Sequence, residues 1–437
     1  MPTILHLTPQ EIDTQEKRTK YPVAIVGCRP NGILYANMFA DAGFNVVCTD
    51  ADASIVKKVA KGKATLPIPE AEAKFKKHIN QEKINVTSEL KKTISQSAIV
   101  VITLTAKTDE QKKNNFTELI NACKQIGAAL HEGTLVIYGG IAGVGFTEGT
   151  IKEILENTSG LKAGQNFGLA YSPLITANSL STLELIVAAA DKSSLDVASG
   201  ILKTLTGNVK EILGLKTAEI AALFAIAKRD ALSALTNEFA VFCENTNTNY
   251  FKVLDALNLN VPCYRPTIAG EECDGAYLLL EDAENLNIKL RLPALARQIN
   301  EEMIKHAINL TQGALRSCDK TLRRSRVAVL GSSPARELFI KLIEQKGAKV
   351  TIYDPSTKKE TQEPHNIKTN LNETVEGADC IIILGGPESL NRLNLKKIKS
   401  LMKPPSVVVD LAGKFDPQQV EIEDFLYFGL GKGNDQK

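Results

Sequence analysis

Apolar and polar positions follow a repeated order in the first half of the chain. Short apolar runs rich in Val and Ile alternate with helix-length amphipathic stretches, and the runs lie at 22–27, 45–50, 98–104, 134–140 and 167–173. Strands covered by helices on both faces have such continuous apolar runs. After a polar tail at 1–20, the pattern predicts a domain at 21–215 with a doubly wound parallel sheet.

A long helical pattern follows at 217–245, without Gly or Pro and apolar around most of its circumference. A helix of this kind requires burial on several sides, in a core or across a subunit interface. We therefore predict a helical domain at 216–322, and a homodimer that pairs through this central helix.

The last part of the chain repeats the order of the first, with apolar runs at 326–331, 349–355, 378–386 and 406–411. This predicts a second, smaller domain at 323–437. The fold class expected is α/β, with two Rossmann-like doubly wound parallel-sheet domains joined by a long central helix and a helical domain.

Composition narrows the choice of partners and compartment. The 52 Lys and Arg residues nearly balance the 50 Asp and Glu residues, so charge gives no reason to expect a nucleic-acid or membrane partner. No apolar run approaches the roughly 20 residues of a membrane span, and we expect a cytoplasmic protein. The eight cysteines form no C-x-x-C pair, which predicts reduced, mostly buried thiols and no metal site.

The first strand leads into a glycine turn, G-C-R-P-N-G, at 27–32. Gly27 and Gly32 match two glycines of the dinucleotide fingerprint, but Arg29 replaces the glycine that lets the backbone approach a pyrophosphate. Asp50 ends the second strand, where a carboxylate accepts from ribose hydroxyls and disfavours a 2′-phosphate, so the predicted cofactor is NAD. Arg29 either folds over the pyrophosphate or blocks it, and the alternative is a Rossmann domain that has lost its cofactor. The predicted cofactor-binding residues are Gly27, Arg29, Asn31, Gly32, Asp50 and Thr105.

Two longer motifs identify a family. The segments SGLKAGQNFGLAYSP at 159–173 and RLPALARQINEEM at 291–303, with Ala218-Glu219 and Asn237-Glu238 on the central helix, resemble the UDP-glucose/GDP-mannose dehydrogenase family. The resemblance covers nearly the whole chain and is nearest to its UDP-N-acetylmannosamine dehydrogenase branch. It implies an NAD-dependent oxidation of the C6 alcohol of a UDP-sugar to a carboxylate, in the synthesis of surface-glycan precursors. In that reaction a cysteine captures the aldehyde as a thiohemiacetal.

The positions of the family's reacting groups have mostly changed. Cys273 matches the family's nucleophile, but Glu272 stands where a His precedes it, and a carboxylate there raises the pKa of the thiol. The family's catalytic Lys and Asn fall on Ala222 and Ile226, which cannot donate to an oxyanion.

Four further departures affect substrate-binding segments. The family's E-S-T falls near Tyr138-Gly139-Gly140, its P-E-R on Pro173-Leu174-Ile175, and its D-G-R on Asp410-Leu411-Ala412, while its K-x-x-x-D-x-R segment is missing after Gly331. Three hypotheses therefore stay open at this point. The protein is an NAD-dependent UDP-sugar dehydrogenase with altered groups, a pseudoenzyme that regulates or partners an active paralogue, or an enzyme of new specificity in the same cleft.

Overall fold

The computed structural model describes residues 4–64, 66, 69–109, 112–174, 184–257, 265–268, 273–331, 333, 335–353, 366–385, 390 and 393–433, with only the backbone of Pro69 and Cys273. Packing divides the chain into two compact units. The first comprises 1–227 and 274–289, and the second comprises 228–273 and 290–437. The four-part domain division drawn from the sequence stays a prediction.

The first unit is built on an eight-stranded sheet. In chain order the strands of this unit are β1 Val23–Val26, β2 Val46–Thr49, β3 Ile84–Thr87, β4 Ile99–Ile102, β5 Lys107–Thr108, β6 Asn114–Asn115, β7 Leu135–Tyr138, β8 Gly168–Tyr171, β9 Leu185–Ala189 and β10 Val209–Glu211. The large sheet has the order β10-β9-β8-β7-β4-β1-β2-β3, and β5 and β6 form a separate antiparallel pair. The order reverses between β1 and β4, which is the position where doubly wound sheets bind nucleotides.

Helices cover this sheet. They are α1 Gln15–Arg18, α2 Pro30–Asp41, α3 Ala53–Val59, α4 Pro69–Asn80, α5 Leu90–Ser95, α6 Thr117–Gly127, α7 Lys152–Ser159 and α8 Lys192–Lys203. All four residues of each of the strands β1, β4, β7 and β8 are buried, as expected for strands between two helical layers. The predicted doubly wound sheet is confirmed with one correction, because β9 pairs antiparallel with β8. Three strands of this sheet, β3, β9 and β10, lie outside the apolar runs from which strands were predicted.

The second unit contains a six-stranded parallel sheet of order β13-β12-β11-β14-β15-β16. Its strands are β11 Arg326–Leu330, β12 Lys349–Tyr353, β13 Asn366–Lys368, β14 Cys380–Ile383, β15 Val407–Asp410 and β16 Leu426–Gly429. The predicted second Rossmann-like sheet is thus confirmed.

The remaining helices are α9 Leu215–Asn245, α10 Tyr250–Leu257, α11 Cys273–Asn285, α12 Arg291–Arg316, α13 Arg336–Gln345, α14 Leu371–Val375, α15 Leu395–Leu401 and α16 Pro417–Glu421. The predicted central helix is α9, whose residues are divided between the two units, whereas α11 belongs to the first unit. Within the described ranges, no helix has the length and apolar character needed to cross a membrane. The six cysteine side chains that are described are free and buried, as predicted.

Candidate nucleotide-binding site

The turn from β1 to α2 depends on two glycines. Gly27 has a φ of +105°, and a Cβ there would lie 2.8 Å from Oγ1 of Thr103. A Cβ on Gly32 would lie 1.8 Å from the carbonyl oxygen of Gly27, so α2 begins against the end of β1. Thr103 fixes this contact, since its hydroxyl lies within hydrogen-bond distance of the carbonyl oxygens of Val26, at 3.0 Å, and Gly27, at 3.1 Å. The turn has the close strand-to-helix packing of a dinucleotide-binding fold.

Asp50 lies directly after β2 and is buried. Its Oδ2 accepts from the backbone N–H of Cys28 at 2.8 Å, and its Oδ1 accepts from the N–H of Asp52 at 3.0 Å. One carboxylate therefore joins the glycine turn to the end of β2. Each oxygen retains a lone pair for a further donor, such as a ribose hydroxyl.

Arg29 has an extended backbone and immediately precedes α2. Its Nη2 lies 3.3 Å from both carboxylate oxygens of Glu118 on α6, and Lys107 pairs with the same carboxylate. The guanidinium is thus held beside an acid, and a pyrophosphate bound at this turn would compete with Glu118 for it.

The start of α2 has fewer backbone N–H donors than the helix that follows the G-x-G-x-x-G fingerprint in dinucleotide-binding domains. Pro30 occupies its first turn and has no N–H. The N–H groups of Asn31 and Gly32 follow and have no partner within the helix, because the first turn never does. They can donate to a pyrophosphate.

The observed turn therefore fits a dinucleotide. A Cβ would fill the space beside Gly27, Asp50 retains acceptor capacity, and the N–H groups of Asn31 and Gly32 have no partner within α2. The predicted residue Thr105 lies half-buried, two positions beyond Thr103. Thr103 was not predicted as a site residue, because a threonine at the end of an apolar run looks like an ordinary strand residue.

The two altered catalytic positions lie in apolar surroundings on α9. Ala222 is fully buried in the same apolar cluster as Leu215 and Ala218. Ile226 is 3% exposed, and a Cβ on Gly275 would lie 2.6 Å from its Cδ1. Both side chains fill space against neighbours, and neither offers a donor.

A buried carboxylate on α9 organises the loop after β7. Glu219 accepts from the N–H of Gly145 at 2.6 Å and from the N–H of Thr147 at 2.8 Å, and burial raises its pKa above the usual value. On α11, Asp282 accepts from the N–H of Val144 at 2.8 Å, and burial raises its pKa as well. The glutamate of the Ala218-Glu219 motif therefore has a structural role, which is to hold the loop after β7.

The RLPALARQINEEM segment forms the start of α12, and two of its polar residues are buried. Arg297 pairs with Asp230 through two hydrogen bonds, one of 2.6 Å from Nε to Oδ2. Asn300 donates to Asp230 at 2.8 Å and accepts from Asn237 at 2.9 Å. Asn237 in turn accepts from the N–H of Thr267 at 2.9 Å. The polar residues Arg297 and Asn300 of this motif therefore belong to a buried hydrogen-bond network of the second unit.

Asp410 ends β15 and is fully buried. It accepts from the N–H of Ala412 at 3.1 Å, from the N–H of Phe415 at 2.8 Å and from the hydroxyl of Tyr427 at 3.0 Å. The aspartate of the expected D-G-R segment therefore holds a loop in place. Some residues singled out in the sequence lie outside the described part of the chain, namely Ile175, Glu272 and the side chain of Cys273.

Fold and turn together define a protein with two nucleotide-binding Rossmann-type sheets. Residues 21–188 match the NAD binding domain of the UDP-glucose/GDP-mannose dehydrogenase family, and residues 327–417 match the UDP binding domain of that family. The chain belongs to this family, as its motifs predict. NAD, the predicted cofactor, is the one that the first of these domains binds.

Individual relatives align with most of the chain. A UDP-N-acetyl-D-mannosamine dehydrogenase from Pyrococcus horikoshii is 25% identical over 94% of this chain and 99% of its own length. TuaD, a UDP-glucose 6-dehydrogenase from Bacillus subtilis, is 23% identical over 94% of this chain and 93% of its own. The solved structure of the UDP-D-ManNAc dehydrogenase from P. horikoshii superposes with a TM-score of 0.75 at 26% identity, covering 94% of this chain and all of that one.

Proposed function

We propose that the protein binds NAD and a UDP-sugar and acts as a cytoplasmic nucleotide-sugar dehydrogenase in the synthesis of surface-glycan precursors. The observation that carries this proposal is the glycine turn, where Gly27, Gly32 and Asp50 retain the geometry of a dinucleotide site. The similarity to dehydrogenases of UDP-N-acetylmannosamine and UDP-glucose supports a UDP-sugar as the second ligand.

In this proposal Asp50 accepts from the adenosine ribose hydroxyls, and the N–H groups of Asn31 and Gly32 donate to the pyrophosphate. Arg29 adds a charge-assisted contact once it leaves Glu118. Bound NAD supplies the acceptor for the hydride from C6 of the sugar. Cys273 is the candidate nucleophile.

A second function is favoured by the apolar surroundings of Ala222 and Ile226. No donor is present at these two positions, and losing one oxyanion donor typically lowers the rate about 10²- to 10³-fold. The protein would then be a diverged member of the family, which binds both nucleotides and regulates or partners an active paralogue.

One pair of measurements separates these functions. Calorimetry with NAD, NADP and a panel of UDP-sugars tests binding, and NADH formation with the same sugars tests the reaction. Binding together with NADH formation that Cys273→Ala abolishes supports the dehydrogenase. Binding without NADH formation supports the diverged member, and the absence of any binding contradicts both.

We also propose a homodimer that pairs through α9. Leu235, Phe239 and Phe242 follow the i, i+4, i+7 spacing of one helix face and are 46%, 53% and 66% exposed. On α12 of the same unit, Leu292 and Leu295 are 68% and 51% exposed. The patch of large apolar side chains formed by the three α9 residues is typical of an interface, and a second copy of the chain is the partner proposed.

A further inference from the structure

Three charged side chains of the first unit meet beside the glycine turn. Arg29 precedes α2, Lys107 begins β5, and Glu118 lies in the first turn of α6. Nη2 of Arg29 lies 3.3 Å from both carboxylate oxygens of Glu118, and Nζ of Lys107 donates to the same carboxylate. One acid is thus shared by two cations from separate segments of the chain.

These ion pairs lie at the strand-order reversal of the first sheet. Arg29 follows β1, whereas Lys107 and Glu118 both follow β4, the neighbour of β1 in the sheet. Nucleotides bind to doubly wound sheets in the crevice beyond the carboxyl ends of two such strands. The ion pairs therefore join the two sides of the crevice in which the pyrophosphate of a bound dinucleotide would lie.

The β5–β6 hairpin that carries Lys107 is also attached to α11. The backbone N–H of Thr108 donates to Oδ1 of Asp274 at 3.1 Å, and the amide of Asn114 donates to the carboxylate of Glu281. The hairpin and α11 belong to the same compact unit. The backbone position of Lys107 next to the glycine turn is therefore fixed by its neighbours.

The contacts of Glu118 can be exchanged for others. The side chains of Arg29 and Lys107 are 43% and 46% exposed, and that of Glu118 is 33% exposed. Ion pairs in such contact with water are weak, and a phosphate oxygen is as good an acceptor for either cation as a carboxylate. A pyrophosphate can thus displace Glu118, but the displacement opposes binding because both contacts must be broken first.

We propose that Glu118 is an internal counter-ion of the dinucleotide site, which occupies Arg29 and Lys107 until the pyrophosphate of NAD displaces it. Glu118 thereby lowers the affinity for NAD, and both cations contact the pyrophosphate in the bound state. The same competition acts on NADH and favours its release. This inference rests on the proposed binding of NAD and adds to it a residue that sets the affinity.

Calorimetric titration of the full-length protein with NAD tests the counter-ion. Glu118→Gln should raise the affinity roughly 3- to 10-fold, because neither cation then has to leave a carboxylate. Glu118→Asp keeps the charge on a shorter side chain and should give a smaller gain. Glu153→Gln is the matched control, since it removes an exposed acid from the first turn of α7 in the same unit, and it should leave the affinity unchanged.

Two further measurements separate a counter-ion from a residue with only a structural role. In Glu118→Gln both cations lack a carboxylate partner until NAD binds, so NaCl should weaken NAD binding more steeply than in the parent. In an Arg29→Gln background, Glu118→Gln should raise the affinity less than in the parent, because one of the two released cations is absent. Equal salt dependence and equal gains in both backgrounds would rule out competition for the cations.

The outcomes distinguish this inference from the proposed function. If the parent binds NAD and Glu118→Gln binds it equally or more weakly, the counter-ion is wrong while NAD binding stands. If only Glu118→Gln binds NAD, the counter-ion stands and the proposed use of NAD by the native chain is wrong. If neither protein binds NAD, both proposals are wrong. Far-UV circular dichroism of each variant checks that the chain is folded.

Discussion

Asp50 joins the two halves of the candidate NAD site, since its oxygens hold the N–H groups of Cys28 and Asp52. In Asp50→Asn the side-chain amide has an NH2 donor in place of one of these two acceptor oxygens. The negative charge that opposes a 2′-phosphate is also lost. We expect NAD affinity to fall about 10- to 100-fold, and NADP affinity to fall much less, in calorimetric titrations. Asp52→Asn is the control: it changes an exposed carboxylate two residues further along the chain and should leave the preference for NAD over NADP unchanged. Equal losses for NAD and NADP would contradict the role assigned to Asp50.

Glu219 should make the stability of the first unit depend on pH. Burial raises its pKa above 4.5, so the folded protein retains this proton at pH values where the unfolded chain has lost it. The free energy of unfolding should therefore decrease as the pH rises from about 4.5 through the folded pKa, and then level off. Glu219→Gln should make this decrease smaller, which urea unfolding at several pH values would measure. A decrease of the same size in the variant would rule out Glu219 as its source, although Asp282 contributes with the same sign.

At the scale of elements, the exposed face of α9 makes a specific prediction about association. Phe239→Glu together with Phe242→Glu places two charges on the apolar patch, and we expect a particle of one chain, 47.4 kDa, instead of two. Light scattering coupled to size-exclusion chromatography measures the mass. Ile422→Glu is the control, because Ile422 is 78% exposed on the same unit but is not part of the patch. A parent protein of monomeric mass at micromolar concentration would remove the proposal.

The strands that are buried along their whole length, β1, β4, β7, β8, β14 and β15, were all predicted from the sequence, whereas several strands with exposed residues were missed. The runs that become β1, β4 and β7 are uniformly apolar because helices bury both faces. In contrast, β10 has no buried residue, and its Val209-Lys210-Glu211 gives no apolar signal.

The same limit applies to the candidate sites. Gly27 and Asp50 were predictable, since they belong to one local motif. The pairing of Arg29 with Glu118 joins residues 89 positions apart, and no periodicity in one sequence can indicate that contact.

At the scale of the whole molecule, each unit should respond to its own nucleotide. A ligand present at about 100 times its dissociation constant stabilises the state that binds it by roughly 2.7 kcal/mol. We expect NAD to slow hydrogen exchange in peptides covering β1 and β2, and UDP to slow it in peptides covering β15 and β16, as measured by mass spectrometry. Protection by NAD confined to the second unit would contradict the assignment of the cofactor to the first.

The division of the chain also affects the order in which the protein can mature on the ribosome. Residues 274–289 pack in the first unit, although the segment 228–273 that precedes them packs in the second. The first unit therefore lacks α11, with the carboxylate of Asp282, until about 60 further residues have been translated, on the order of 3–12 s at ~5–20 residues per second. During that interval Asp230 has also emerged without Arg297, its partner in the buried pair. The nascent chain thus carries an incomplete first unit and an unpaired acid at the same time. We expect its dependence on chaperones to be greatest during this interval.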